Sequence, residues 1–369
     1  MAKTVNKKLA LLFAGGGTAG HVLPAIATAE ALQRESTVEL KLDFEITYLA
    51  TRTGAERRIL EQNGANFRIV PKTDLPRKIS GELLTFPLRM ARALLLTLPV
   101  VRRVDVVVGF GGYVALPAYI AAFLVRKPLI IHEANALPGL ANRLGRRIAV
   151  RALSNFPIPG WSPSDVIGLP IRESIWRIGG LNRAERTTLQ ERARKNLGLA
   201  PDRKTILVFG GSLGAARINQ ALGGALDELL RNGYQVLHST GAGKDLLDAR
   251  PGYYPVQYIS EMDQAYLAAD LVISRSGAGT CAEIHASGLP AIMVPLAIGN
   301  GEQFLNAEHV LRSRASAGSA VVIDESDLNA TALLHSIEKL IQLPPAGNPS
   351  SDSSSTRMAR IILATGGSR

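Results

Sequence analysis

A single cysteine, Cys281, in 369 residues leaves no partner for an internal disulfide, so the chain is not a stapled secreted scaffold. Aromatic residues make up only 5% of the sequence and no run interleaves them with Lys or Arg, which makes a nucleic-acid surface the weaker option. Acids are the scarcer charge, 31 against 42 basic residues, and the net charge of +11 points to an anionic partner such as phosphate or an acidic membrane surface. Uninterrupted apolar runs of membrane-spanning length are missing too. Val106 to Val125 carries no charge, but Gly109, Gly111, Gly112 and Pro117 break it, so strand, turn and helix are expected there. Met1–Lys8 is polar and leads straight into a strand, from which an untargeted cytoplasmic protein is expected. Gly241-Ala242-Gly243-Lys244 lacks the Walker spacing, and there is no DxD motif to suggest a metal site.

What the chain has instead is glycine at the ends of short apolar runs. Leu271-Val272-Ile273 is followed by Ser274-Arg275-Ser276-Gly277-Ala278-Gly279-Thr280-Cys281-Ala282-Glu283, a strand-to-helix turn. Such a helix start offers unpaired N–H groups and a positive dipole end to a diphosphate, and Glu283, about one turn on, can accept two ribose hydroxyls. Taken alone, the stretch reads equally well as an ordinary tight βα turn. Leu9–Phe13 precedes Ala14-Gly15-Gly16-Gly17-Thr18-Ala19-Gly20-His21, and Thr205–Phe209 precedes Gly210-Gly211-Ser212-Leu213-Gly214-Ala215, so the chain reads as two similar halves. Continuous apolarity fits central parallel strands buried on both faces, and the predicted class is α/β with two Rossmann-like doubly wound domains. Neither turn carries the full dinucleotide fingerprint, which disfavours a nicotinamide enzyme.

Further strands are predicted at Ile46–Ala50, Phe67–Val70, Val106–Val108, Leu129–Ile131, Val236–His238, Val256–Ile259 and Ala291–Pro295, with an exposed helix at Arg183–Leu197. Between Arg77 and Arg103 lie Arg77, Lys78, Arg89, Arg92, Arg102 and Arg103 against one acid, Glu82, with Leu84, Leu88, Leu95 and Leu98 near one helical face. A basic amphipathic stretch can lie on an anionic bilayer, or it can pack on its own sheet with solvated arginines. His132-Glu133-Ala134-Asn135 sits past a strand end, where open sheets bind ligands, although His and Glu there could equally cap the next helix. Phe156–Pro170 is Pro- and Gly-rich and reads as a linker. Asp324-Glu325-Ser326-Asp327 resembles a metal-binding cluster but is better explained as the cap of the next helix. The domains are drawn at 1–168 with about 357–369, and at 169–345, with a flexible Pro- and Ser-rich linker at 346–356.

Six motifs in order, Gly16-Gly17-Thr18-Ala19-Gly20-His21, Gly109-Phe110-Gly111-Gly112-Tyr113, His132-Glu133-Ala134-Asn135, Gly210–Ala215, Arg275-Ser276-Gly277-Ala278 and Gln303 to Asn306-Ala307, resemble the bacterial MurG glycosyltransferases from Leu9 to about Ala307. The resemblance implies a GT-B fold, two Rossmann-like domains facing a central cleft. It implies transfer of N-acetylglucosamine from UDP-GlcNAc to the C4 hydroxyl of the muramyl sugar on an undecaprenyl-pyrophosphate-linked acceptor, giving lipid II. By the same resemblance the donor is held by Thr18, Ala19, Gly20, Asn135, Arg172, Ser212, Ile259, Ala278, Gly279, Thr280, Cys281, Ala282, Glu283 and Gln303, and Gly111, Gly112 and Tyr113 line the acceptor side. It also implies a peripheral protein on the cytoplasmic side of the cell membrane, held to the anionic inner leaflet through Arg77–Arg103.

The chemistry needs a base for the attacking hydroxyl and stabilisation for the departing diphosphate. His21, at a helix start where the dipole disfavours imidazolium, is the expected base. Charge on the leaving group is expected on the amides around Ala278 and on Arg172, with no metal or other cofactor and with inversion. Ala19, Ala134, Leu169 and Glu302 depart from the residues usual in that family and bear on acceptor placement and sugar selectivity. A UDP-N-acetylglucosamine epimerase, or a non-catalytic nucleotide-sugar or lipid binding protein, would share much of this pattern.

Overall fold

The computed structural model describes residues 8–36, 43–73, 81–211, 215–241, 243, 248–297, 301–313, 318–347 and 352–367, with backbone only at 81–84. The chain divides into two compact units, Met1–Ile171 with Asp352–Arg369, and Arg172–Ser351.

The first unit runs β1 (Leu9–Gly15), α1 (Ala19–Glu35), β2 (Phe44–Ala50), α2 (Ala55–Gln62), β3 (Phe67–Ile69), α3 (Gly81–Arg103), β4 (Val106–Gly111), α4 (Ala115–Leu124), β5 (Leu129–Glu133), α5 (Leu140–Gly145) and β6 (Arg151–Ser154). The second runs α6 (Glu173–Trp176), α7 (Arg183–Asn196), β7 (Thr205–Phe209), α8 (Ala216–Arg231), β8 (Gln235–Ser239), β9 (Tyr253–Val256), α9 (Met262–Ala268), β10 (Leu271–Ser274), α10 (Ala278–Ser287), β11 (Ala291–Met293), α11 (Glu302–Ser313), β12 (Ala320–Val322) and α12 (Ala330–Leu340). A last helix, α13 (Ser354–Gly367), belongs to the first unit.

Both sheets are six-stranded and parallel, ordered β3-β2-β1-β4-β5-β6 and β12-β11-β10-β7-β8-β9. Each is the doubly wound order, with its reversal between β1 and β4 in one unit and between β7 and β10 in the other. Alternation along β1 explains its continuous apolarity. Leu11 and Phe13 enter a core shared with α1 and with Met358, Ala359 and Ile362 of α13, while Leu12 and Ala14 enter one shared with α3 and α4. Burial of each leucine contributes about 1.5–3 kcal/mol, so neither face of the strand is dispensable.

The structure moves several expected boundaries. The strand expected at Val256–Ile259 is β9, Tyr253–Val256, because its register with β8 pairs Val236 with Tyr253 and Ser239 with Val256, leaving Gln257 and Tyr258 exposed. β6 and β12 are short edge strands, β6 without a continuous apolar run and β12 only three residues long. Phe156–Pro170 is no free linker, since Phe156, Ile158, Ile167 and Leu169 are buried and Arg151 pairs with Asp165 at 2.6 Å. The chain leaves the first unit at Ile171, not 168, and re-enters it at Asp352. Of the linker expected at 346–356, residues 348–351 lie outside the described residues. Ser353–Ser355 are buried, and Ser353 Oγ caps α13 by accepting from Thr356 N at 3.1 Å. Likewise Asn329, not the Asp324–Asp327 stretch, caps α12, its Oδ1 accepting from Ala332 N at 3.0 Å.

Among the described residues no helix is long and apolar enough to cross a membrane. Val106–Val125 resolves into buried β4, a glycine turn and α4. In α3 the core-facing positions are Ala93, Thr97 and Val101, whereas Leu88 and Leu95 are 74% and 71% exposed and Leu96 is 48% exposed. The leucine face expected to be shared by Leu84, Leu88, Leu95 and Leu98 therefore does not all turn inward. Arg77 and Lys78, and the side chain of Leu84, lie outside the described residues.

Candidate active site

Ligands of doubly wound sheets bind beyond the carboxyl ends of the strands at the order reversal. In the first unit those ends, of β1 and β4, carry Gly15–Gly20 and Gly111–Tyr113. The two turns touch: a Cβ on Gly112 would lie 2.1 Å from the Gly16 carbonyl oxygen, and one on Gly17 would lie 2.6 Å from the Tyr113 ring. Gly17 (φ 97°) and Gly112 (φ 80°) also hold backbone conformations that other residues rarely adopt.

α1 starts at Ala19 after Thr18, and its first turn holds His21, whose Nδ1 is 3.1 Å from Thr18 Oγ1. Burial holds the His21 imidazole below its ordinary range, against a hydrogen bond to the Gly16 carbonyl and the charge of Glu56, both of which favour the cation. Desolvation thus leads where the helix dipole alone had been expected to act. Ala19 and Gly20 occupy the exposed or half-exposed helix start, and only Thr18 Oγ1, at 3.6 Å, would meet a Cβ on Gly20.

The sequence did not single out Glu56, yet it braces this loop. The carboxylate of Glu56, which is buried, accepts from Gly17 N at 3.0 Å, Thr51 N at 2.9 Å and Thr51 Oγ1 at 2.7 Å. These hydrogen bonds outweigh desolvation and hold Glu56 below the usual carboxylate range.

A second brace lies under β4 and β5. Glu133 Oε1 accepts from Asn135 N at 3.0 Å, and its Oε2 accepts from Gly139 N at 3.0 Å and Asn142 Nδ2 at 2.9 Å. Tyr119 Oη donates to Asn142 Oδ1 at 2.8 Å and accepts from Gly111 N at 3.3 Å. One chain of hydrogen bonds thereby ties Asn135, α5 and the Gly111–Tyr113 turn together. His132 does a different job, its Nε2 lying 2.8 Å from the Gly168 carbonyl oxygen, and burial pushes its ring down to about 4.

In the second unit β7 and β10 end at Phe209 and Ser274. Ser212 lies outside the described residues. Beyond Ser274, Ser276 Oγ donates to the Gln303 carbonyl oxygen at 2.9 Å and Asn306 Nδ2 donates to the Ser276 carbonyl oxygen at 3.3 Å, fixing the turn into α10. Arg275 donates to the Val294 and Pro295 carbonyl oxygens and pairs with Glu325. α10 therefore begins at Ala278 with the amides of Ala278, Gly279 and Thr280 in its first turn, and a Cβ on Gly277 or Gly279 would meet nothing within 4 Å.

Glu283 follows, half-buried, with Tyr266 Oη donating to its Oε2 at 2.9 Å. Burial pushes its carboxyl up to about 7, against the Tyr266 hydrogen bond and the charge of Arg172. Arg172 and Glu283, distant in sequence, thus come within electrostatic reach. Ala282 is half-exposed, but Cys281 is buried and its thiol is pushed up to about 12, so that residue contributes backbone and packing rather than reactivity. Gln303 closes its own loop, Oε1 accepting from Leu296 N at 3.1 Å. Ile259 lies buried between β9 and α9. Among the described residues there is no group of three or more His, Cys, Asp or Glu suited to a metal ion.

Residues 11–154 match the Glycosyltransferase family 28 N-terminal domain and residues 205–363 the Glycosyltransferase family 28 C-terminal domain. The UDP-N-acetylglucosamine–N-acetylmuramyl-(pentapeptide) pyrophosphoryl-undecaprenol N-acetylglucosamine transferase of Mycobacterium sp. (strain KMS) is 44% identical over 344 residues, 91% of this chain and 88% of the relative. The crystal structure of Acinetobacter baumannii MurG superposes with a TM-score of 0.66 at 27% identity, covering 97% of each chain. A Methanocaldococcus jannaschii UDP-GlcNAc 2-epimerase has a TM-score of 0.58 at 14% identity over 97% of this chain and 100% of its own, a likeness of fold alone. With both family 28 domains in order and such identity along nearly its whole length, the chain belongs to the MurG family of glycosyltransferases.

Proposed function

We propose that this chain is an inverting N-acetylglucosaminyltransferase that moves the sugar from UDP-GlcNAc to the C4 hydroxyl of an undecaprenyl-pyrophosphoryl muramyl-pentapeptide acceptor, producing lipid II. The observation that carries the reading is the grouping at the start of α10: amides at Ala278–Thr280, a carboxylate one turn on at Glu283, and the guanidinium of Arg172 acting on that carboxylate. In this reading the amides and Arg172 take the diphosphate charge that develops on departure, and Glu283 accepts the ribose hydroxyls. Ile259 lends backbone to the uracil and Gln303 reads sugar hydroxyls through its amide nitrogen. Ser212 adds a phosphate contact, and Thr18, Ala19, Gly20 and Asn135 complete the sugar side.

His21 is the base of this reading. Its suppressed basicity keeps it neutral near pH 7, and with Nδ1 engaged by Thr18, Nε2 is the nitrogen for the C4 hydroxyl proton. Gly111, Gly112 and Tyr113 receive the acceptor. The mechanism needs no metal or cofactor, because leaving-group stabilisation falls to main-chain dipoles and Arg172.

The exposed leucines of α3, interleaved with Arg92, Arg102 and Arg103, support a peripheral seat on the anionic inner leaflet at the cytoplasmic side of the cell membrane. The test is UDP release from UDP-GlcNAc with and without a lipid I analogue, in buffer containing EDTA. Acceptor-dependent release that persists in EDTA is expected. Turnover of UDP-GlcNAc without acceptor would point to an epimerase, and binding without turnover to a non-catalytic protein.

A further inference from the structure

Glu283 is not left to find its own orientation. Tyr266, on α9, is fully buried and donates its hydroxyl to Glu283 Oε2 at 2.9 Å. The ring is itself fixed, standing edge-on to Phe209 with centroids 6.2 Å apart and planes at 85°. Phe209 is the last residue of β7, one of the two strands at the order reversal, and it lies in register opposite Ser274 of β10. A phenol pinned against the sheet therefore aims at a carboxylate on the helix that starts the site.

We propose that Tyr266 is a positioning residue for the sugar-nucleotide donor, its buried hydroxyl fixing the orientation in which Glu283 accepts the paired hydroxyls of the ribose. The inference rests on the reading of Glu283 as the ribose carboxylate. The hydroxyl engages Oε2 alone and thereby selects one side-chain rotamer, and Glu283 spends less conformational entropy on closing around a diol. It also matters which form of the acid is present. An ionised carboxylate accepts from both hydroxyls, whereas a protonated one must itself donate. Burial pushes Glu283 towards the protonated form, and the Tyr266 hydroxyl and the Arg172 charge oppose it. Tyr266 thus supports the accepting form near neutral pH.

The test compares the wild-type protein, Tyr266→Phe and Glu283→Gln, measuring donor KM, acceptor KM and kcat between pH 6 and 9. Phenylalanine keeps the ring against Phe209, and a thermal melt verifies the fold. In the wild type, donor KM is expected to fall as pH rises through about 7. In Tyr266→Phe, donor KM rises roughly five- to tenfold at pH 7 while kcat falls less than twofold, and the KM transition moves up by about one pH unit, so the deficit shrinks in alkali. Glu283→Gln raises donor KM and flattens its pH dependence. A Tyr266→Phe donor KM that matches the wild type at every pH, while Glu283→Gln still raises it, overturns the inference and leaves the ribose reading standing. An unchanged donor KM in Glu283→Gln overturns both.

Discussion

At the residue scale, what separates a working site from a glycine turn is the environment of a few titratable groups. His21 sits half-buried in the first turn of α1, and desolvation lowers its basicity although the Gly16 carbonyl and the Glu56 charge oppose it. As the base of a transferase it must be neutral to act, so at saturating donor and acceptor the acid limb of kcat is expected below pH 6.5, the ordinary histidine value. His21→Ala is expected to lower kcat by roughly 10²–10⁴-fold with donor KM little changed. Near-normal turnover in that variant would reduce His21 to a diphosphate donor. Glu56, Tyr119, Asn142 and Tyr266 were not legible as functional in the sequence. Each lies on a helix, away from the glycine turns, and reaches the loops only through the fold. The one available hint was weak: Glu56 follows the end of a strand, where polar residues gather at ligand sites.

At the scale of elements, the brace under β4 and β5 makes a clean prediction. Tyr119→Phe keeps the ring that fills the space a Cβ on Gly109 or Gly145 would need, but removes the acceptor of the buried Gly111 N–H and the donor to Asn142. The expected cost is about 1–3 kcal/mol in urea unfolding, with a rise in acceptor KM larger than any rise in donor KM, because the disturbed turn is Gly111–Tyr113. Helix α3 offers another. Its packing onto the unit uses Ala93, Thr97 and Val101, so replacing Leu88 and Leu95 together by Glu leaves the core untouched. Loss of binding to anionic vesicles by at least tenfold is expected with an unchanged melting temperature. Equal vesicle binding by the double variant would sink the membrane reading of this helix.

For the whole molecule, two buried histidines weaken the fold in acid. His132, on β5, and His238, on β8, are each pushed down to about 4 by burial, from an ordinary value of 6.5. His238 has both ring nitrogens partnered, Nδ1 by Tyr253 Oη at 2.9 Å and Nε2 by Asn219 Oδ1 at 3.1 Å. Between those pH values the unfolded chain binds protons that the folded chain excludes. Their contribution to stability is complete above 6.5 and is lost on acidification towards 4, at up to ~1.36 kcal/mol per pH unit for each ring. Chemical denaturation at pH 7 and pH 5 checks this, and replacing His238 by Gln should lower the slope by up to ~1.36 kcal/mol per pH unit. A slope indifferent to that change would rule out His238 as a source.

Continuous apolar runs such as Leu9–Phe13 and Thr205–Phe209 announce strands buried on two faces, and the glycines after them announce turns, because both demands are local: burial of every side chain, and backbone angles that only glycine adopts readily. From these the sequence by itself determined the α/β class, the two halves and the candidate loops. Pairing register, which moved β9 to Tyr253–Val256, is a matter of which residues of β8 lie opposite, and no local pattern holds it. The serine tract before α13 looks like low complexity until Ser353 is seen capping a helix that packs beside β1. Only the tertiary structure decided which buried groups stand behind the loops, Glu56, Glu133 with Asn142 and Tyr119, and Tyr266, since hydrogen bonds between side chains and loops on different elements, up to 39 positions apart, depend on packing that the chain must complete before those atoms can meet.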